Sequence, residues 1–479
     1  MTYRRVCPFL TVLTVALLGG CGGLVSHQNQ PPGVMQGTPR GLYAVTSHVP
    51  GMGPFSGSTT ALMAAKPTKD GFRANSRPGA AAEMLGGVGG FFLDIFGDKR
   101  APGGAFLHWV SPAPREDGPV RGTVRSPRAN LGAELYSLDQ PVELRSPSNG
   151  QLFGLLTVEP ASVEDYPTTD FEKLVDRIDA VLAEHLFDPN LYKAPGTQAC
   201  LRHLRRVAGV ARDDAEFVVG WFFAARHLEF SHLYLDRKLD PQFEDRFTST
   251  SFISPAIPAE AVTLTEADGI ATLRIRHFDE DSADAIDAAF TEIAKLEPRG
   301  LIIDLRDNPG GTFVAARVAA HLIDSPADAG VFFTRQGRAK VLAGQLEEFP
   351  AITWVDSVDE LLGLLDEHGA IRWRVEPVAP RYAGVVAVLI NGRVASAAEA
   401  LVAGLRELAR VTLVGEPTPG AMLSGQYFDL GQGWKLFTPT ADYRTAHGVR
   451  VEGRGVLPDI KAKSEDAPRI AREFLATFR

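Results

Sequence analysis

Cysteine is scarce in this chain, which has three cysteines among its 479 residues. Cys7 falls inside an apolar N-terminal segment and Cys21 follows that segment, so Cys200 is the only cysteine in the remainder of the sequence. If Cys7 is removed with that segment and Cys21 is acylated, Cys200 alone cannot form a disulfide within the mature chain. We expect the Cys200 thiol to be buried and inert rather than catalytic.

An excess of positive charge is also missing. The chain has 49 Lys and Arg residues against 58 Asp and Glu residues, which gives a formal net charge of −9. No basic patch with interleaved aromatic residues stands out, so nucleic acid is not an expected partner. The length suggests two or three domains, and the composition is that of an ordinary globular protein with a well-buried core.

Long apolar runs are absent except at the N-terminus. Arg4 and Arg5 precede an apolar run over residues 6–18, and Leu-Gly-Gly-Cys follows at 18–21. This is the layout of a secretory signal peptide, and the run is too short to span a membrane comfortably. A cysteine directly after small residues resembles a bacterial lipoprotein signal. We therefore predict a signal peptide over residues 1–20 and lipidation of Cys21, with ordinary secretion or an uncleaved anchor as alternatives.

The residue after the cysteine bears on location. Gly22 is not an aspartate, which in a Gram-negative host favours the outer membrane. We expect a lipoprotein of the cell envelope that faces the periplasm and contacts the membrane through the lipid on Cys21. No second apolar run follows, so the rest of the chain is expected to be soluble. Residues 21–40, rich in Gly, Gln and Pro, are predicted to form a flexible tether.

After residue 40, the pattern of residues divides the sequence into three regions. Residues 41–163 alternate short β-like runs with Pro, Gly, Ser and Asn clusters, which predicts a β-rich accessory domain. Residues 164–235 carry apolar stripes at helical spacing, which predicts a helical segment, with Asp170 capping its first helix. Residues 236–479 alternate strands and helices, which predicts an α/β core. Within it, residues 338–370 have helical patterns and form either a lid or, as we favour, a decorative insertion.

One stretch of the core places a serine between a strand and a helix. VVAVLI at 385–390 predicts a buried strand, and the apolar spacing through Leu408 predicts a helix after Ser396. A hydroxyl there lies beside free backbone N–H groups and the positive end of a helix dipole, which suits a nucleophile. However, Ser396 and Glu399 also match the S-x-x-E capping box, and capping is the commoner role.

Three other positions could supply partners. Gly310 and Gly311 follow a predicted strand and form either a simple turn or a backbone cradle for a ligand. His232 follows Ser231 between a helix and an extended run, and a histidine can accept a hydroxyl proton near neutral pH. Glu452 lies among glycines and could orient a base, although it could equally be a surface residue paired with Arg450 or Arg454.

Four motifs in order give these residues a common interpretation. They are DLRDNPGG at 304–311, NGRVASAAEALVAGL at 391–405, VGEPTPG at 414–420 and VEGRGVLPDI at 451–460. Together they resemble the tail-specific (C-terminal processing) and tricorn-core family of serine peptidases over roughly residues 165–465. The resemblance implies a ClpP/crotonase-like β-α core with a helical cap, preceded here by the β-rich region.

The family has two catalytic arrangements, and the sequence distinguishes them. In one, a lysine follows the glycine that here is Gly420, but this chain has Ala421 at that position; Lys435 lies on a strand where we expect it to be exposed. The tricorn-like arrangement uses a serine, a histidine, a serine adjacent to the histidine, and a glutamate. The resemblance therefore implies a catalytic set that consists of Ser396, His232, Ser231 and Glu452.

The resemblance also assigns roles. Ser396 would attack a carbonyl with His232 as base, and Ser231 would relay a hydrogen bond from the imidazole to Glu452. Gly310, Gly311 and Ala397 would supply the oxyanion-hole N–H groups.

The expected activity is that of a serine peptidase with peptide or protein substrates and without a cofactor or metal. The short segment between His232 and Ile270 leaves no room for the PDZ domain usual in tail-specific proteases, which weakens the expectation of C-terminal specificity. Two alternatives stay open. Interphotoreceptor retinoid-binding modules resemble the same core and bind hydrophobic ligands, and an esterase would use the same catalytic residues.

Overall fold

The computed structural model describes residues 41–50, 56–68, 71–76, 108–112, 120–125, 130–135, 141–145, 152–162, 164, 168–244, 261–279, 282–355, 357–409 and 411–478. The predicted signal peptide (1–20), the lipidated Cys21 and the tether (21–40) lie outside these residues. In the part of the chain that is described, none of the helices has both the length and the apolar character needed to cross a membrane.

The N-terminal region forms an antiparallel sheet that closes on itself, because its first strand pairs with both the second and the last. Its strands are β1 (Gly41–Val49), β2 (Gly57–Thr68), β3 (Gly71–Ser76), β4 (His108–Pro112), β5 (Val120–Arg125), β6 (Asn130–Leu135), β7 (Val142–Arg145) and β8 (Leu152–Pro160). Apolar residues of these strands, such as Val45, Leu62 and Met63, are buried. The predicted β-rich character of this region is confirmed.

A helical segment packs on this closed sheet. Its helices are Phe171–His185, Pro189–Lys193, Pro195–Ala208 and Asp214–Ala224, followed by a 3₁₀ turn at Ala225–His227. Asp170 caps the first helix by accepting a hydrogen bond from the backbone N–H of Lys173 at 3.1 Å. Apolar residues of the closed sheet, the helices and strand Trp434–Thr445 share one core. Cys200 is buried in that core, and burial raises the pKa of its thiol to about 12.

The α/β core begins after strand β9 (Tyr234–Arg237) and a short helix at Pro241–Glu244. Its first sheet has the order β10-β11-β12-β16-β17-β20. These strands are β10 (Val262–Ala267), β11 (Ile270–Ile275), β12 (Gly300–Asp304), β16 (Val385–Ile390), β17 (Val411–Gly415) and β20 (Ile460–Lys461). Strands β11, β12, β16 and β17 are parallel, so their carboxyl ends meet at one edge of the sheet.

Helices cover both faces of this sheet, which explains why its strands are continuous runs of apolar residues in the sequence. Alternate residues such as Ile303 and Val388 pack against helices Ser282–Leu296, Ala315–Ala320 and Ala397–Leu408. The opposite face, including Ile302 and Leu389, packs against the C-terminal helix Ala467–Leu475.

A second sheet covers the outer side of the same helices. Its order is β14-β15-β13-β19-β18, with β9 also pairing with β19. The strands are β13 (Ala327–Thr334), β14 (Ala351–Ile352), β15 (Ala370–Val375), β18 (Leu423–Gly431) and β19 (Trp434–Thr445). The predicted α/β fold class is confirmed. The segment 338–370 contains helices Arg338–Leu342 and Val358–His368, but it also supplies β14 to this sheet.

Candidate active site

Three loops meet at the carboxyl edge of the parallel strands. They are residues 305–314 after β12, residues 391–396 after β16 and residues 416–422 after β17. Asn391 joins the first two, because its amide oxygen accepts from the Asp307 N–H at 3.1 Å and its amide nitrogen donates to the Asp307 carboxylate at 2.9 Å. Loops at this edge of an α/β sheet are the usual place for a binding site.

Ser396 lies at the turn from β16 into the helix Ala397–Leu408, as predicted from its position in the sequence. Its backbone has φ 54° and ψ −128°, and its side chain makes no capping hydrogen bond to the helix. Positive φ costs a non-glycine residue on the order of 1–3 kcal/mol and tends to occur at functional sites. Asp307 (φ 67°) and His232 (φ 57°) share this unusual backbone. The capping-box interpretation of Ser396 is therefore wrong.

Glu399, the other member of that motif, serves the third loop instead. Its carboxylate accepts hydrogen bonds from the Thr418 hydroxyl at 2.5 Å, the Gly420 N–H at 2.8 Å and the Ala421 N–H at 2.6 Å. Its side chain is fully buried. Burial raises the pKa of Glu399 to about 7, against the opposing effect of these hydrogen bonds. Glu399 thus fixes the loop that lies beside Ser396.

Ser231, His232 and Glu452 form a continuous hydrogen-bonded relay. The Ser231 hydroxyl lies 2.6 Å from Nδ1 of His232 and donates to Oε2 of Glu452 at 2.9 Å. The Ser231 N–H donates to Oε1 of the same carboxylate at 2.9 Å. The structure thus brings together three residues that lie up to 221 positions apart in the sequence.

The relay determines where the imidazole proton lies. Because the one hydroxyl proton of Ser231 is directed to the Glu452 carboxylate, the hydroxyl oxygen accepts from Nδ1–H of His232. Nε2 of His232 then carries a lone pair and can accept a proton. Burial lowers the pKa of His232 to about 4, which keeps the ring neutral near neutral pH.

Glu452 is a buried residue rather than a surface one. Its side chain accepts from Ser231 and, at 2.7 Å, from the N–H of Met422. Burial raises its pKa, while these hydrogen bonds and the charge of Arg450 oppose that shift. Arg450 itself donates to Asp442 at 2.7 Å. Pairing of Glu452 with a surface arginine is therefore not what the structure shows.

Two consecutive residues connect Ser396 to the relay. The Ser396 N–H donates to the Ala421 carbonyl at 2.8 Å, and the next N–H, that of Met422, donates to Glu452. The structure contains no hydrogen bond between Ser396 and His232, although both residues are described. Catalytic hydrogen bonds in ligand-free enzymes are often long and shorten only with substrate bound.

The glycine turn packs directly on the serine. An ideal Cβ on Gly310 would lie 2.7 Å from Cβ of Ser396 and 2.9 Å from the N of Ala397. The Gly310 N–H donates to Oδ1 of Asn308 at 2.8 Å and is thereby occupied. Within the described part of the chain, the N–H groups of Gly311 and Ala397 have no acceptor. Of the three predicted oxyanion donors, Gly311 and Ala397 therefore each have an N–H group that is available to an oxyanion.

Ala421 and Lys435 bear on the choice of base. Ala421 contacts Ser396 through its carbonyl, so the lysine position of the other catalytic arrangement is here occupied by a methyl group. Lys435 is exposed on β19, where its ammonium group lies 5.8 Å from the centre of the Tyr427 ring. Among the described residues, no group of three or more His, Cys, Asp or Glu side chains could hold a metal ion.

The α/β core is similar in sequence to a known protein family. Residues 269–462 match the sequence model of Peptidase family S41. This match covers 194 of the 479 residues, less than half of the chain, and over this segment the chain is similar to peptidase family S41. The resemblance inferred from the four motifs is confirmed. Ser396 and Glu452 lie inside the S41 segment, whereas Ser231 and His232 precede it.

Relatives match over the same part of the chain. A chloroplastic C-terminal processing peptidase of Tetradesmus obliquus is 28% identical over 197 residues, which is 41% of this chain and 36% of that protein. The carboxy-terminal processing protease CtpA of Bacillus subtilis (strain 168) is 28% identical over 218 residues, 45% of this chain and 40% of the relative. The chain thus spans less than half the length of these relatives. A crystal structure of the tricorn protease is 13% identical, with a TM-score of 0.39, and the match covers 87% of this chain and 46% of that one.

Sequence reasoning missed the supporting residues of this site. Asn308 is fully buried and holds the glycine turn, while Thr418 and Glu399 hold the loop opposite Ser396. One signal was available: Glu399 occupies an otherwise apolar stretch of its helix, where an ionisable side chain must have partners if it is to be buried.

Proposed function

We propose that this chain is a serine peptidase in which Ser396 is the nucleophile and His232 is the general base. The observation that carries the proposal is the relay from Glu452 through Ser231 to Nδ1 of His232, which leaves Nε2 free to accept a proton. A binding module on the same fold would gain nothing from a buried carboxylate that orients an imidazole.

The proposed mechanism follows from these positions. Oγ of Ser396 bonds to the substrate carbonyl carbon while its proton moves to Nε2 of His232, which must come within hydrogen-bond reach once a substrate is bound. The N–H groups of Gly311 and Ala397 stabilise the resulting oxyanion. The imidazolium, stabilised through Ser231 by Glu452, then protonates the leaving amine. A water molecule hydrolyses the acyl-enzyme by the same proton transfers.

A fluorophosphonate probe tests the nucleophile. We expect the wild-type protein to be labelled and the Ser396→Ala variant to stay unlabelled, with hydrolysis of fluorescein-labelled casein lost in parallel. An unlabelled wild type would refute the proposal, and equal labelling of both proteins would move the nucleophile elsewhere. Hydrolysis of an ester such as p-nitrophenyl acetate without cleavage of any peptide bond would replace the peptidase with an esterase.

We further propose that the protein acts in the cell envelope, anchored by a lipid on Cys21 and facing the periplasm. The support is the sequence alone: Arg4 and Arg5, the apolar run 6–18, and small residues before Cys21. Expression in a Gram-negative host should yield a membrane-bound form that incorporates labelled palmitate, and Cys21→Ala should abolish the incorporation. Label in both forms, or in neither, would contradict the anchor.

A further inference from the structure

A small cavity lies beside the relay, lined by charged residues that the proposed mechanism does not use. It has a volume of about 100 Å³, and its charged lining residues are Arg338, Arg444, Arg450, Asp188 and Asp442. Arg450 is two residues before Glu452 in the sequence, and its positive charge lies close enough to oppose the upward pKa shift of that carboxyl. Asp442 is paired in the sheet with Leu423, which follows the Met422 that donates to Glu452. The cavity therefore flanks the candidate active site.

The cations in this cavity outnumber the anions. Arg338 donates to Asp188 at 2.7 Å, and Arg450 donates to Asp442 at 2.7 Å, so two arginines are balanced by two carboxylates. Arg444 donates one hydrogen bond, at 2.8 Å, to the Gly448 carbonyl. Among the described residues, it has no carboxylate within salt-bridge distance. The uncompensated positive charge of the cavity thus resides on Arg444.

Arg444 also has unused hydrogen-bonding capacity. Its Nε is buried and has no hydrogen-bond partner within the described structure. Burial lowers the pKa of Arg444, and the positive charges of Arg450, Arg454 and Arg338 act in the same direction, against the opposing charge of Asp442. A buried donor without a partner is destabilising, so an acceptor with negative charge would be favourable here.

We propose that this cavity binds a small oxyanion, a carboxylate or a phosphate group, with Arg444 as its principal ligand. The planar guanidinium group presents donors in a fork that matches two oxygens of such a group. Arg338 and Arg450 keep their own carboxylates, so the net positive charge that an oxyanion would meet is that of Arg444. Because the cavity flanks the relay, the oxyanion has two natural sources: an acidic group on a bound peptide, or free phosphate.

Calorimetric titration distinguishes these sources. The probes are inorganic phosphate, and the peptide acetyl-Ala-Asp-amide with its Asn analogue as a control, at constant ionic strength. Titration into the Ser396→Ala variant prevents hydrolysis, so the result does not depend on the proposed activity. Saturable binding of phosphate alone assigns a phosphate site. Binding of the Asp peptide and not of the Asn peptide assigns a carboxylate site.

Substitutions test the role of Arg444. Arg444→Gln should weaken binding by at least about tenfold, the effect of losing a charge-assisted hydrogen bond. Arg444→Lys keeps the charge without the fork and should weaken binding less. The matched control is Arg469→Gln, which removes one positive charge from an exposed residue of the C-terminal helix and should leave binding unchanged.

Two results would overturn the proposal. One is the absence of saturable binding of either probe up to concentrations on the order of 10 mM. The other is unchanged affinity in both Arg444 variants, whose folded state is verified by circular dichroism. If Arg444→Gln does not fold, the comparison of Arg444→Lys with Arg469→Gln decides the question, because lysine retains the positive charge and loses only the paired donors.

Discussion

Replacement of Gly310 by alanine should impair catalysis far more than it impairs folding. Gly310 has φ +100°, and an ideal Cβ there would lie 2.6 Å from the Ala395 carbonyl oxygen, 2.7 Å from Cβ of Ser396 and 2.9 Å from the N of Ala397. All three separations are shorter than van der Waals contact, and two of the neighbours are backbone atoms that cannot rotate away. The glycine turn must therefore move away from Ser396.

Two contributions set the size of the effect. The positive φ costs alanine about 1–3 kcal/mol of stability. Movement of the turn displaces Gly311 from the oxyanion, and the loss of one such donor lowers kcat by about 10²–10³. Gly344 offers a matched control, because it also has positive φ (+77°) but no atom lies within 4 Å of the position of its Cβ. Gly344→Ala should therefore show the backbone cost without the loss of activity.

Three measurements are needed: kcat/KM on fluorescein-labelled casein, the rate of fluorophosphonate labelling, and urea unfolding. We expect Gly310→Ala to lose at least about 10² in kcat/KM relative to Gly344→Ala, while both remain folded. Activity close to that of the wild type in both variants would refute the argument that the turn and Ser396 are in steric contact. A loss of activity that is equal in both variants and proportional to their lost stability would show that general destabilisation explains the effect.

Four further predictions test the relay and its supports. Glu452→Gln removes the charge that stabilises the imidazolium, so kcat should fall by about 10²–10⁴; an unchanged kcat would remove Glu452 from the relay. Because desolvation lowers the pKa of His232 to about 4, the acidic limb of kcat/KM against pH should lie below pH 6.5, and a midpoint at or above that value would contradict a base whose pKa is lowered. Burial raises the pKa of Glu399 from 4.5 to about 7, so its stabilising contribution is present below pH 4.5 and is lost as the pH rises through 7. The melting temperature of wild type minus that of Glu399→Gln should therefore decrease across this window, and a flat difference would argue against the shift. Lys435→Ala should leave kcat/KM unchanged, whereas a large loss of kcat/KM would indicate that a lysine acts as the base.

The helices and strands that could be predicted from the sequence are those in which the pattern of apolar residues directly matches which sides of the element are buried. The helix at 171–185 has one apolar stripe, and strand 385–390 is almost wholly buried, so local pattern and final structure agree. Strand β14 (Ala351–Ile352) was missed because it lies in segment 338–370, whose dominant pattern is helical. Closure of the N-terminal sheet depends on the pairing of β1 with β8, more than a hundred residues apart, which strand periodicity does not encode.

The candidate site, too, could be predicted from the sequence only in part. Ser396, His232, Ser231 and Glu452 could be named because the order of four motifs matched a family, although no local pattern links Ser231 to Glu452. Side-chain direction was not predictable: Glu399 has the spacing of a capping partner, yet it turns to the loop 418–421. Nor could the sequence show that the Gly310 N–H is occupied by Asn308, because that depends on the closed geometry of the turn.

The single peptide group between Ala421 and Met422 couples Ser396 to the relay. Its C=O accepts from the N–H of Ser396 and its N–H donates to the Glu452 carboxylate, so neither contact can be displaced alone. A shift of this one peptide would disturb Ser396 and the relay together, so double substitutions on its two sides should be strongly non-additive.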